Sequence, residues 1–341
     1  MSVVVMLNWI QTASCTNLDN HKISTSFLTD LIDMTQVNSE NKKLQFIDAH
    51  HHFWDLEKND YPWLKGHEEP NFFLGNYDAI KRNYLYKDYL QDSKDFEVLA
   101  TVHCEAEWSR DDQVGETQWL TDINKQTGLP TAIVAHAWFD TDNAAEVLAK
   151  QAAFPLVRGI RSKPKTTLRP DLLTNNLPGG MQDKRWLEGY ARLEKHSLSW
   201  DLRVPYWHLY EAAEVARQFP NTPIVLNHTG FPWDRSAEGI SAWSKAMEAL
   251  AKHHHVHLQV SEFGLKDHAW DYASNKEIVL RAIKIFGIER CMFASNFPVA
   301  GLRVDFATLL NSVANMVSEF TAKQQHDFFV GNASRFYRLG I

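Results

Sequence analysis

From residue 44 onward, short apolar runs alternate with longer segments whose apolar residues recur at helical spacing. Leu44–His52 reads as the first strand. Seven more follow: Phe96–Glu105, Thr131–Trp138, Pro155–Ser162, Ser197–Val204, Pro223–His228, Val256–Ser261 and Arg290–Ser295. Between them the spacing predicts helices over Asp78–Leu90, Gly115–Thr127, Asp142–Ala152, Asp183–His196, His208–Phe219, Glu238–His253, Asn275–Phe286 and Asp305–Phe320. A short closing helix is expected over Ala322–Phe329. Asp142 and Asn275 stand where N-caps belong, and Gly128 and Gly287 where helices stop. Strand-then-helix repeats predict an α/β fold with a parallel sheet, and eight of them close a (β/α)8 TIM barrel. An open doubly wound sheet also alternates, but no G-x-G-x-x-G follows the first strand.

Residues 15–43 are polar and carry no clear period, and 1–43 read as an N-terminal extension; the barrel spans 44–341. The apolar run Val3–Leu7 lacks a basic flank and is broken at Asn8, so a secretion leader is not indicated. No apolar run reaches the length of a membrane span.

A hydrophobic fraction of 44% supplies a large core, and the net charge of −7 argues against a nucleic-acid or anionic-membrane partner. The expected partner is a small-molecule substrate. A homo-oligomer is compatible with the sequence, which does not set the state. Cys15, Cys104 and Cys291 are too scattered for a disulfide framework or a C-x-x-C site, which points to a reducing, cytoplasmic setting.

In a barrel of this kind the chemistry sits at the C-terminal ends of the strands. His50 and His52, two apart on strand one, point to the same face. With His228, at the end of the apolar strand six, they form a candidate nest for a divalent metal, zinc above others. The same imidazoles could serve as metal-free hydrogen-bond donors. Glu105 ends strand two and Glu262 ends strand seven. By alternation Glu262 points away from Gln259 and Ser261, so it must bend in from the loop to take part. Arg161 and Arg203 need partners if buried. Arg161 suits either Glu105 or a substrate carboxylate, whereas Arg203 has Asp201 two residues away as a structural partner. Twelve tryptophans is a high count for 341 residues. Trp54, Tyr206 and Trp207 are placed to wall a small cyclic substrate.

These residues carry a resemblance. Phe46-Ile47-Asp48-Ala49-His50-His51-His52-Phe53-Trp54-Asp55, followed by Tyr61-Pro62-Trp63-Leu64, resembles the opening of the amidohydrolase-related family of lactonases, whose members are metal-dependent or metal-free. Val157–Arg161, Val225–Gly230 and Arg290–Val299 are similar to that family's fourth, sixth and eighth strands. The resemblance implies a hydrolase in which water attacks a polarised carbonyl of a lactone or similar small ester carrying a carboxylate or hydroxyls. It also implies an Asp as general base at the end of strand eight, where this chain has Asn296, and an amide cannot accept that proton. Glu262 and Glu105 are the replacement candidates. A decarboxylase-type lyase on the same barrel and a non-catalytic degenerate relative are the competing readings.

Overall fold

The computed structural model describes residues 43–66, 72–174, 176–266 and 268–341. Residues 1–42 of the expected extension, with Cys15, lie outside them. Eight parallel strands follow one another in the order β1 to β8, each paired with its sequence neighbour. They are β1 (Gln45–His51), β2 (Glu97–Cys104), β3 (Ala132–Ala135), β4 (Val157–Ile160), β5 (Ser199–Leu202), β6 (Ile224–Leu226), β7 (Val256–Val260) and β8 (Cys291–Phe293). The ring closes where β1 meets the end of β8: Asn296 N–H donates to His50 O at 2.7 Å, and His52 N–H to Phe297 O at 2.8 Å. The strands bury both faces, which is why they read as continuous apolar runs rather than strict alternation. Each observed strand is shorter than its sequence reading, because the polar residues at the strand ends have left the ladder to face the site.

The helices are α1 (Tyr86–Asp92), α2 (Gly115–Thr127), α3 (Ala144–Ala152), α4 (Lys184–Tyr190, with a further turn at Arg192–Lys195), α5 (Leu209–Gln218), α6 (Ala237–Ala251), α7 (Tyr272–Phe286) and α8 (Phe306–Met316). The first differs from expectation. Asp78–Ile80 is one isolated turn, and regular helix begins only at Tyr86. Tyr77, Ile80 and Tyr84 are apolar at helical spacing because they pack as a loop wall, not as a helix face. The expected N-caps also move. Asp271, not Asn275, caps α7 by accepting from the N–H groups of Ala273 and Ser274, while Asn275 is buried within the helix. Asn143, not Asp142, precedes α3. Gly128 and Gly287 end their helices at φ +80°, as expected of glycine. The closing helix runs past its expected end, from Ala322 through a wider turn at Asp327–Gly331 to Tyr337.

No helix among the described residues is long and apolar enough to cross a membrane. Cys104 and Cys291 are buried free thiols.

Candidate active site

The histidines meet where the strands end. The ring of His50 lies 5.0 Å from that of His52 and 4.8 Å from that of His228, centroid to centroid. Each is held through Nδ1. His50 Nδ1 pairs with Gln259 Oε1 at 2.8 Å, His52 Nδ1 with Cys104 O at 2.7 Å, and His228 Nδ1 with Ser261 Oγ at 3.1 Å. Gln259 Nε2 donates to Ala49 O at 2.9 Å, which fixes its oxygen toward His50 and so puts the His50 proton on Nδ1. A carbonyl can only accept, so His52 also carries its proton on Nδ1. Both imidazoles therefore present an Nε2 lone pair. All three are held well below the usual imidazole pKa, first by burial and then by neighbouring imidazoles and the charges of Arg161 and Arg203. They are neutral, as metal ligands must be.

The second partner of His52 is informative. Its Nε2 lies 3.0 Å from Asn296 Oδ1, while Asn296 Nδ2 donates to Glu262 Oε1 at 2.6 Å. Two lone pairs thus face each other across 3.0 Å. A cation between them relieves this. So does turning the amide over, which requires Glu262 to hold a proton. Three neutral imidazoles held through their far nitrogens, beside an amide oxygen, are donors suited to zinc. A second convergence lies beside them. One ligand atom each from His50, Cys104 and Asp201 fall within 4.8 Å of one another, all buried. Nothing in the sequence marks Cys104 or Asp201 for this beyond their inward parity.

Glu262 does bend in. His228, Glu262 and Asn296 end three consecutive strands, and all three have positive φ, at +58°, +49° and +55°. Left-handed backbone in non-glycine residues costs about 1 kcal/mol or more each. At Glu262 it overrides the alternation that would send the side chain outward. Burial lifts its carboxyl to about 7, with Asn296 and Arg203 pulling the other way.

Glu105 is in the opposite state. It accepts from Arg161 Nε at 2.7 Å, from Arg110 Nη2 at 3.0 Å and from the Glu107 N–H at 3.0 Å. Burial would raise its pKa, but Arg110, Arg161 and Lys163 outweigh burial and hold it well below the usual carboxylate range. Arg161 also donates to the Glu105 carbonyl and sets Nη1 3.4 Å from His50 Nε2. The expected pairing of Arg203 with Asp201 does not form. Asp201 instead accepts from Tyr337 Oη at 3.0 Å and from Asn227 Nδ2 at 3.2 Å inside the barrel.

Above the histidines opens a cavity of about 1060 Å³. His52, His228, Asn296, Arg161 and Arg203 line it, with Trp54, Trp63, Phe73, Trp207 and Trp233 among its walls. Indole N–H donors tie these walls down: Trp54 to Arg82 O at 2.7 Å, Trp63 to Ala106 O at 2.9 Å and Trp207 to Thr167 O at 3.1 Å. Tyr206 does not reach the cavity; it packs edge-on against Trp207. Glu262 sits just behind the wall, reached past Asn296.

The amidohydrolase family's sequence model matches residues 47–339. The protein y4mH of Sinorhizobium fredii is 34% identical over 87% of this chain and 99% of its own. An L-fucono-1,5-lactonase of Burkholderia ambifaria is 28% identical over 86% and 95%. A solved amidohydrolase of Burkholderia multivorans with zinc bound superposes with a TM-score of 0.69 at 22% identity, over 86% of this chain and 99% of that one.

Proposed function

The chain belongs to the amidohydrolase family, and on that premise we propose that it hydrolyses a lactone or a similar small cyclic ester bearing a carboxylate or hydroxyls. The observation that carries this reading is the convergence of neutral His50, His52 and His228, where His52, His228 and Asn296 line an aromatic-walled cavity and His50 lies buried beside them. The lactonase relative supports it.

His50, His52 and His228 would hold a divalent ion, which when bound polarises the ester carbonyl and acidifies a water. The protein's own groups do the rest. Gln259, the Cys104 carbonyl and Ser261 fix the three rings. Arg161, clamped by Glu105, places positive charge beside His50, where negative charge develops on the carbonyl oxygen. Asn296 orients the attacking water through its amide. Glu262 takes the proton through one water. A carboxyl near 7 has the strength for that at neutral pH, whereas Glu105 is too weak a base. Trp54 and Trp207 flank the ring, and water is kept from its faces.

A panel of sugar lactones and carboxylated unsaturated lactones, offered to metal-replete protein and followed by acid release, tests the reading. Turnover of at least one, reduced roughly 100-fold or more in His228→Asn, is the expected result. Absence of turnover across the panel overturns it.

A further inference from the structure

Arg203 follows β5, and its guanidinium lies against the rings of Phe73 and Phe231, at 5.3 and 5.2 Å from their centroids. Other arginines on the cavity wall are engaged by carboxylates. Arg161 is bound to Glu105, Arg110 to Glu105 and Glu107, and Arg169 to Asp171. Among the described residues no hydrogen bond or ion pair engages the Arg203 guanidinium; its contacts are the two rings. Burial, and then the charge of Arg161, draw its pKa down to about 10 against the pull of Glu105 and Glu262, so it remains a cation. It also faces His228, whose neutral state owes part of its cause to this guanidinium.

A charged fork pressed against aromatic faces has lost much of its water and has donors left over. The group that matches it is planar, anionic and able to accept two parallel hydrogen bonds. The rest of the wall agrees: Arg110, Lys163, Arg169 and Lys266 line the cavity against one carboxylate side chain, Glu107. We propose that Arg203 binds a carboxylate carried by the substrate, so that the enzyme's substrate is an anionic, planar carboxylated lactone rather than a neutral sugar lactone. This rests on the lactonase reading and narrows it. The carboxylate sits on the His228 side of the ring, and the scissile carbonyl falls toward His52 and Asn296. Phe73 stacks on His228 at 6.2 Å and lies against the Arg203 guanidinium, so it joins the carboxylate position to His228.

Two measurements separate the claims. The first is binding without turnover, by calorimetric titration with benzene-1,3-dicarboxylate and with its neutral diamide. The wild type is expected to take the dicarboxylate and not the diamide. Arg203→Met is expected to lose roughly 30-fold or more in affinity. Arg203→Lys, which keeps the charge but not the fork, should fall in between. Equal affinity for the two probes, or Arg203→Lys and Arg203→Met both binding as the wild type does, overturns the proposal. The second is kcat/KM on a carboxylated lactone and on its neutral amide counterpart. The wild type should prefer the acid, and Arg203→Lys should narrow that preference; a preference for the neutral ring overturns the proposal and leaves lactone hydrolysis standing. Dicarboxylate binding through Arg203 with no lactone turned over removes the hydrolytic reading and leaves the carboxylate site intact.

Discussion

Glu105 and Glu262 have the same side chain, both are buried, and they end in opposite protonation states. Three donors hold Glu105 ionised, two of them arginines. One amide and a loss of water leave Glu262 near 7. If Glu262 accepts the proton, kcat/KM rises with pH as it ionises and levels off above about 7. Glu262→Gln should lower the plateau by roughly 100-fold and erase that inflection. A pH–rate profile from pH 5 to 9 decides this; an inflection that survives in the variant assigns it elsewhere. Positions were legible in the sequence at this scale, because strand parity and strand ends place His50, His52, His228, Glu105 and Asn296. Partners were not. Arg161 finds Glu105 across β3, and Arg203 finds only rings, because pairing depends on where side chains from different strands converge. Asp201, two residues from Arg203, turns into the barrel instead.

At the scale of elements, helix packing against the barrel is closest at Gly189 in α4. A Cβ there would lie 2.0 Å from the backbone oxygen of Phe139, beyond β3. Gly189→Ala should therefore cost about 3 kcal/mol, since neither helix nor loop backbone can give way cheaply. Gly128→Ala is the comparison. It meets nothing within 4 Å but sits at φ +80°, so its cost is about 1 kcal/mol from backbone alone. Denaturant melts of the two variants separate contact from conformation, and equal losses would contradict the packing. Strands and α2 were readable because their apolar spacing serves one purpose, core burial. The segment before α1 departs from its helical spacing because its aromatic residues serve another, with Tyr84 and Tyr77 backing the wall residues Trp54 and Trp63, and spacing alone does not distinguish the two.

Across the whole molecule, burial sets a pH window. His50, His51, His52, His103, His136 and His228 are all pushed below 6.5 by burial, so the unfolded chain gains protons that the native state refuses. Their contribution to stability is lost as pH falls below about 6.5. Asp48, Asp201, Glu262 and Glu116 are raised by burial to about 6, 7, 7 and 8. The native state keeps those protons while the unfolded chain releases them, so this contribution is lost as pH rises toward 8. The two together predict a maximum in Tm between about pH 6 and 7, with the steeper fall on the acid side, where more groups act. Scanning calorimetry from pH 4 to 9 checks it, and a Tm still rising at pH 8 would contradict the assignment. The barrel itself was the most legible level, since eight repeats dictate closure. The network that joins the last helix to the site through Tyr337, Asp201 and Gln259 was not, because a tyrosine near the chain's far end carries no mark of where it docks.

The three left-handed strand ends bear on how such a protein changes under selection. His228 and Glu262 occupy backbone that glycine or asparagine would occupy at less cost. A population selected for heat resistance alone would replace them and grow sturdier, at the expense of the proposed chemistry. Selection that includes turnover keeps them if they act as proposed, and the left-handed backbone at both is then retained for that role. Asn296 is the exception among the three: its residue type suits its backbone, and it can persist on either ground.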